Sequence, residues 1–179
     1  TNTGEILVQG GASESFGGDG GFVEFDADED FDFDGGDINS NGFIDVSGGH
    51  GINDGHGGLG GSVAIHTDSN IAGLGVIIVR GSILAKGGDS DQGTGGDGLY
   101  IDINSDNNDA PNGTGSVDID GVTINANGGT GPDAEGNGAI ITISAAEMPP
   151  VVVGDDTGTV TCTNSKVTAT GLVDGVITL

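Results

Sequence analysis

A short pattern that recurs along the chain constrains the fold more than any other feature. In each copy an isoleucine and a second aliphatic residue alternate with other residues and are followed by two glycines, as in ILVQGG, IDVSGG, ILAKGG and INANGG. The glycine pairs begin at positions 10, 48, 87 and 128, so successive copies lie 38, 39 and 41 residues apart. Alternation with a period of two predicts a strand with one buried face. A further copy, KVTATG, begins at Lys166.

Each repeat contains signals for two more strands. A second strand follows each glycine-rich loop, in the segments GFVEFD, GSVAIH, LYIDIN and AIITIS. A third strand precedes the next glycine-pair strand, and we expect its inward residues at a fixed offset from that strand. The offset predicts the inward pairs Val76 and Ile78, Val117 and Ile119, and Val160 and Cys162, with Phe31 and Phe33 in the first repeat.

Similar residues recur at equivalent positions of the repeats. This indicates a chain that coils so that each repeat stacks on the one before it. Each strand then pairs with its equivalent one turn away, about 4.8 Å distant, and the inward residues form columns along the axis. We therefore predict one all-β domain over residues 1–179, a parallel β-helix of about 4–5 rungs with three short strands each. The predicted inward columns contain Ile6, Ile44, Ile83 and Ile124; Val8 and Val46; Val23, Val63, Ile101 and Ile141; and Phe25, Ile65, Ile103 and Ile143.

The repeats and their GG…GGxGG loops resemble the glycine-rich, right-handed parallel β-helices (β-solenoids) of secreted and surface proteins. Loops stacked one per rung would crowd any side chain, which accounts for the glycine pairs. The resemblance covers nearly the whole chain, and it implies a right-handed coil and an extracellular or cell-surface location. It does not select one function, because β-helices of this kind serve as lyases, adhesins and fibres.

The charge balance excludes several classes of partner. The chain has a net charge of −25, with 28 acidic residues and three cations, Arg80, Lys86 and Lys166. Nucleic-acid binding requires clustered lysine and arginine, so we expect no nucleic-acid partner, and anionic membranes are disfavoured for the same reason. No apolar run approaches the roughly 20 residues of a membrane span, so we expect no membrane insertion. The single cysteine excludes an internal disulfide.

An acidic segment in the first repeat is a candidate calcium site. Ca²⁺ prefers hard oxygen ligands, and the alternative is a solvated acidic surface. An EF-hand is excluded because the twelfth position counted from Asp30 is Asn41 rather than glutamate. A calcium-binding nonapeptide solenoid is excluded because its GGxGxDx unit does not recur every nine residues. The candidate ligands are Asp26, Asp28, Asp30, Asp32, Asp34 and Asp37.

The remaining reactive residues give no zinc or catalytic pattern. His50 and His56 share one loop and His66 lies on a strand, without the set of three or four ligands that zinc requires. We expect Cys162 to be a small core residue. A polysaccharide lyase-like enzyme would need one of the three cations as its base, and the chain has no Trp and one Tyr for stacking on sugars. We therefore do not expect an enzyme, and a lyase is the third alternative.

The outward residues suggest how the sides of the molecule interact. In the second strand, carboxylates fall on alternate rungs, as in Glu24, Ala64 and Asp102, so that like charges are not stacked on neighbouring rungs. In one third strand and in the glycine-pair strand that follows it, apolar residues occupy positions expected to point outward. The predicted lateral contact consists of Ile77, Val79 and Leu84.

The two ends of the sequence show no capping pattern, and the opening TNTG falls where the end of a third strand would lie. We predict that the ends pair head to tail, which gives an open filament. The expected function is that of a secreted structural subunit of an extracellular filament or surface layer, with copies of itself as partners. The alternatives are a piece of a longer β-helix, or an adhesin or carbohydrate-binding module that binds polysaccharide or a cell surface. The predicted end-to-end contacts are Thr1, Asn2, Thr3, Ile6, Val8, Val167, Val176, Ile177 and Leu179.

Overall fold

The computed structural model describes residues 1–27, 36–53, 55–67, 75–105, 115–145, 159–171 and 176–178. All regular structure in these residues is β-strand, and they contain no helix long and apolar enough to cross a bilayer. The strands are β1 (Ile6–Leu7), β2 (Phe22–Asp26), β3 (Ile38–Ser40), β4 (Ile44–Asp45), β5 (Ser62–His66), β6 (Val76–Val79), β7 (Ile83–Leu84), β8 (Ile101–Asn104), β9 (Ser116–Asp120), β10 (Thr123–Asn125), β11 (Ile140–Ser144), β12 (Thr159–Thr163), β13 (Lys166–Thr168) and β14 (Val176–Thr178).

The strands form three parallel sheets, each of which takes one strand from each repeat. The first sheet has the order β1-β4-β7-β10-β13, the second β2-β5-β8-β11-β14 and the third β3-β6-β9-β12. Every pairing joins a strand to its equivalent about 40 residues away, which is the defining property of a solenoid. The prediction of an all-β parallel β-solenoid is confirmed.

The interior is filled by the predicted columns of apolar side chains. In the first sheet Ile44, Ile83 and Ile124 lie in register and are fully buried. The second sheet contributes the columns that begin at Val23 and Phe25, which are also in register. Val8 is the exception, since its side chain is 38% exposed and no described strand lies on its outer side.

The third sheet corrects the predicted direction of one strand. Ile77 and Val79 are fully buried, and they pair with Val117 and Ile119. Val76 and Ile78 are only half-buried. The prediction that Ile77 and Val79 project outward as a lateral contact is therefore wrong.

The length of the turn that follows the third strand explains this error. Three residues separate Val79 from Ile83, whereas four separate Ile119 from Ile124. The longer turn contains Gly121 at φ +69°, and its equivalent one rung later contains Asn164 at φ +50°. A residue in the left-handed backbone conformation, with positive φ, accommodates the extra position without changing which side chains face inward. The offset is thus not fixed along the chain.

The third strand of the first repeat also differs from the prediction. It is β3, in which Ile38 and Ser40 are buried and pair with Ile77 and Val79. Phe31 and Phe33, which were predicted to form this strand, lie outside the described residues. The outward column of the third sheet consists of Asn39, Ile78, Asp118 and Thr161. In the second sheet Glu24, Ala64 and Asp102 lie in register, so the predicted alternation of carboxylates in that column is confirmed.

The glycine-rich segments between the first and second sheets form a separate layer, which we call the glycine arm: residues 10–21, 48–53, 55–61, 87–99 and 128–139. Each rung of the arm has an outgoing and a returning segment. A backbone ladder passes between them from rung to rung, with N···O distances of 2.7–2.9 Å. In each bond the carbonyl oxygen of one glycine accepts from the backbone N–H of the next glycine in the ladder. The glycines follow one another in the order Gly11, Gly18, Gly49, Gly58, Gly88, Gly96, Gly129 and Gly136.

The arm can close only because its central residues lack a Cβ atom. A Cβ at Gly49 would lie 2.1 Å from the carbonyl oxygen of Gly11, and a Cβ at Gly88 would lie 2.0 Å from that of Gly49. Side chains cannot be accommodated at such distances from backbone atoms. The expectation that stacked loops would crowd any side chain is confirmed.

Candidate functional site

The first candidate surface is the edge of the solenoid formed by Asn2, β1 and β2, which we call the first face. Leu7 and Phe22 are more than half exposed there. A cavity of about 400 Å³ opens between β2, β3 and the first residues of the chain, and Phe25, Ala27 and Ile38 form its apolar wall. The apolar interior of the solenoid is therefore accessible at this face.

Asn2 extends the third sheet beyond β3. Its backbone N–H donates to the carbonyl oxygen of Asn39, and its own carbonyl oxygen accepts from the N–H of Asn41, both at 2.8 Å. The bridge places Asn2 directly beside Ser40 in parallel orientation. The expectation that TNTG lies where a third strand would end is confirmed.

The edge strands β12, β13 and β14 form the opposite surface, which we call the last face. Cys162 is exposed there, although it is in register with the buried Ile119. The prediction that Cys162 is a core residue is wrong, because in the described part of the chain no strand covers its outer side. Ile177 is 41% exposed for the same reason. Lys166 is exposed at the start of β13.

The predicted end-to-end residues divide between these two surfaces. The first face contains Thr1, Asn2, Thr3, Ile6 and Val8, and of these Asn2 and Ile6 are half-buried. The last face contains Val167, Val176 and Ile177. Val167 and Ile177 occupy inward positions of β13 and β14, Val176 belongs to β14, and Leu179 lies outside the described residues.

An apolar strip on the outer side of the second sheet was missed by the sequence analysis. Tyr100 and Ile140 lie side by side on neighbouring rungs, because Ile101 pairs with Ile141. They are 39% and 53% exposed, and Leu99 beside them is 42% exposed. A groove of about 220 Å³ is formed by these side chains and by Gly98 and Ala139. The segments LYIDI and AIITI contained the signal, since each has an apolar residue one position before its inward pair.

A polar network crosses three rungs of the same outer surface and centres on His66. The His66 Nε2 lies 3.0 Å from Oδ2 of Asp102, and both side chains are only 13% exposed. The Tyr100 hydroxyl donates to the same carboxylate oxygen at 2.6 Å. Glu24 and Asp26 approach His66 from the preceding rung. Ala64, which separates Glu24 from Asp102 in their column, is buried although it points outward.

The network changes the acidity of two of its members. The hydrogen bond to Asp102 raises the pKa of His66 above its ordinary value, and the charges of Asp102, Asp26 and Glu24 add to this effect against the opposing effect of burial. Burial raises the pKa of Tyr100, and its hydrogen bond to the Asp102 carboxylate raises it further. Asp102 and the acidic residues of the first rung therefore make the protonated form of His66 more favourable than that of a free imidazole.

The same group could offer donor atoms to a metal ion. Within the described residues, Glu24, Asp26 and His66 have donor atoms that all lie within 4.8 Å of one another. One imidazole nitrogen with two carboxylates suits zinc or manganese better than calcium, which takes oxygen ligands. Asp102 would then orient the imidazole from its other nitrogen. Of these three residues, only Asp26 was among the metal ligands predicted from the sequence.

The other two histidines have separate structural partners. The His50 Nε2 lies 2.9 Å from Oδ1 of Asp91, one rung away. The His56 Nδ1 accepts a hydrogen bond from the backbone N–H of Thr94 at 3.0 Å, and the ring of His56 stacks on Phe16. These contacts agree with the expectation that both are polar loop residues.

The predicted calcium segment is described only at its two ends. Asp26 and Asp37 both line the cavity at the first face. The Asp37 carboxylate accepts a hydrogen bond from the backbone N–H of Val76 at 3.0 Å. The other four predicted ligands, Asp28, Asp30, Asp32 and Asp34, lie outside the described residues, and calcium binding by this segment stays a prediction.

Comparisons of the chain with models of protein families, with curated proteins and with solved structures found no match.

Proposed function

We propose that the protein is a structural subunit that assembles head to tail, through its first and last faces, into an extracellular filament or surface layer. The observation that supports this proposal most directly is that apolar side chains of the interior columns are exposed at both faces. Val8 is 38% exposed at the first face and Ile177 is 41% exposed at the last. Contact between the two faces would remove both side chains from water.

The backbone supports the same proposal. An edge strand presents unpaired N–H and C=O groups, and a stable solenoid covers them with a cap or with another chain. In the described residues neither β1 nor β13 has a neighbour on its outer side. Because all three sheets are parallel, the two faces present complementary sets of these groups and can continue one another. Two identical faces would not pair in this way.

The charge distribution favours end-to-end over side-to-side contact. A net charge of −25 makes the sides of neighbouring molecules repel one another at low salt. The last face is less acidic, since β13 contains Lys166 and β12 has threonine at its outward positions Thr161 and Thr163. The acidic outward residues would keep a filament hydrated along its sides.

Electron microscopy and sedimentation of the 179-residue chain test this proposal. We expect unbranched filaments about as wide as a single solenoid. Ile177→Asp, at the last face, should abolish them. Leu59→Asp, in the glycine arm, is a matched control because Leu59 is also 41% exposed and the charge change is the same. Short rods of one size in the unaltered protein, or equal effects of the two variants, would contradict the proposal.

A second candidate function is carbohydrate binding at the apolar strip of the second sheet. Tyr100, Ile140 and Leu99 form an exposed groove next to the carboxylate of Asp102. Aromatic and aliphatic surface flanked by hydrogen-bonding groups suits the faces and hydroxyls of a sugar. An adhesin of this kind should show a rise in melting temperature with its glycan, and Tyr100→Ala should abolish that rise without changing the melting temperature of the free protein by more than a few degrees.

A further inference from the structure

The two faces of the solenoid match each other position by position, and this defines how two copies would join. The first and second sheets each contain five strands. The third sheet contains four strands, and Asn2 adds a fifth level beside Ser40. Every sheet of the described structure therefore spans five levels, and a second copy can extend all three sheets at once without leaving a gap in any of them.

We propose that the joint places Asn2 of the next copy beside Cys162, with β1 of that copy beside β13 and its β2 beside β14. This inference rests on the head-to-tail assembly proposed above and specifies its register. Within the chain, Ser40, Val79, Ile119 and Cys162 form one in-register column of the third sheet. Asn2 begins that column, so Asn2 of the next copy continues it.

The same register continues the interior columns of the first and second sheets across the joint. Val167 is in register with Ile124, and it would meet Ile6 of the next copy. Ile177 is in register with Ile141, and it would meet Val23 of the next copy. Ala169, two residues after Val167, would lie in register with Val8, but Ala169 is already buried in the separate molecule. A slip of one residue would instead place outward side chains against the apolar interior.

Charge complementarity favours the same register. With Val167 beside Ile6 of the next copy, Lys166 lies beside Glu5, and both side chains are exposed on the separate molecule. Glu5 is the only acidic residue among residues 1–9, so a slip by one residue would place Lys166 beside an uncharged residue. Opposite charges on neighbouring strands stabilise a pairing, and like charges destabilise it.

The register predicts the dimensions of the filament. Five levels per 179-residue chain at about 4.8 Å each give filaments of this chain an axial rise of about 24 Å. Cryo-electron microscopy of unmodified filaments measures this rise directly. A rise that differs by one level or more, about 5 Å, would overturn the register.

A disulfide across the joint tests the register by a second route. Paired residues of parallel strands have Cα atoms close enough for a disulfide, and the side chains of Asn2 and Cys162 would point to the same side. Asn2→Cys should therefore give ladders of covalent oligomers that disappear on reduction. Thr3→Cys is the matched control, because the next residue along the strand points to the opposite side. Asn2→Cys combined with Cys162→Ser should give no ladder.

The outcomes separate this inference from the proposed function. Filaments of Asn2→Cys that do not cross-link, or that cross-link no better than Thr3→Cys, would overturn the register and leave the head-to-tail assembly in place. If Asn2→Cys fails to assemble, variants that exchange the charges of Lys166 and Glu5 test the register instead. Lys166→Glu should weaken assembly, and adding Glu5→Lys to the same chain should restore it. Lack of restoration would overturn the register. Absence of filaments in the unaltered protein would contradict the proposed function itself.

Discussion

The three-sheet core and the glycine arm stack the same repeats at the same spacing, but different atoms make their contacts. In the core, columns of isoleucine, valine and alanine side chains fill the space between sheets. In the arm, the backbones of outgoing and returning segments touch directly and are joined by the ladder from Gly11 to Gly136. The core therefore depends on side-chain volume, whereas the arm depends on the lack of any side chain. Substitutions that remove atoms should damage the first region, and substitutions that add atoms should damage the second.

The largest effect is expected from removing volume in the core. Ile103→Ala should lower the free energy of unfolding by about 2–5 kcal/mol, because it leaves a cavity in a fully buried column. Ile140→Ala, in the same sheet but 53% exposed, should change it by less than about 0.5 kcal/mol. Urea denaturation followed by circular dichroism measures both values. Equal losses would show that the core does not depend on packed volume.

Adding a single methyl group in the arm is expected to have the next largest effect. Gly88→Ala should lower the free energy of unfolding by about 1–3 kcal/mol, since the new Cβ overlaps the carbonyl oxygen of Gly49. Gly11→Ala is the control within the same arm, because a Cβ there would have no atom within 4 Å. Gly11→Ala should be neutral or slightly stabilising. Similar melting temperatures for the two variants would contradict the proposed role of the missing Cβ atoms.

The two regions should also respond to pH in opposite directions. The pKa of His66, on the core surface, is raised above 6.5, so its stabilising contribution is complete below that value and is lost as pH rises through the folded-state pKa. Burial opposes the ionisation of Asp89, in the arm, but hydrogen bonds from the backbone and hydroxyl of Thr130 outweigh it and hold the pKa below 3.8. The contribution of Asp89 is complete above 3.8 and is lost as pH falls through the folded-state pKa.

Thermal melts over a range of pH test this contrast. His66→Gln should remove part of the loss of stability on the alkaline side, and Asp89→Asn should remove part of the loss on the acid side. His66→Gln should leave the acid side of the stability profile unchanged, and Asp89→Asn should leave the alkaline side unchanged. A profile of His66→Gln that is parallel to that of the unaltered protein between about pH 6 and 9 would contradict the assignment of His66.

The smallest effect is expected for an ion pair on the outside of the third sheet. The Arg80 guanidinium donates to Oδ2 of Asp118 at 2.7 Å and to its backbone oxygen at 3.0 Å, and both side chains are more than a third exposed. Asp118→Asn should therefore lower the free energy of unfolding by less than about 1 kcal/mol, and salt should reduce the difference. A loss as large as that of Gly88→Ala would show that ionic contacts between rungs matter more than the backbone contacts of the arm.

The sequence predicted the core where apolar and other residues alternate clearly. The IDV and INA segments each have one possible phase, because a polar residue separates their two apolar residues, and their columns formed as expected. The segment VIIV, residues 76–79, is apolar at all four positions, so its period does not reveal which pair faces inward. Its direction depends on the length of the following turn, and Gly121 marks the longer version of that turn only one rung later.

The surfaces were less predictable than the core because they depend on contacts between rungs. The network of His66 joins residues about 40 positions apart, and its geometry follows from the small Ala64 between two carboxylate positions. Glycine pairs predicted crowded loops, but not the ladder that alternates between the two segments of each rung. The exposure of Cys162 follows from its place on the last strand of a sheet, which the alternating pattern alone does not reveal.

The missing Cβ atoms of the arm limit how the chain can vary. Glycine is the smallest residue, so any replacement at Gly49, Gly58, Gly88 or Gly96 is an enlargement, and no neighbour can shrink to compensate because the atoms it meets are backbone. A core position can exchange isoleucine for valine and regain volume elsewhere. These four glycines have no such freedom, and variation in the arm is confined to exposed positions such as Leu59 and Gln92.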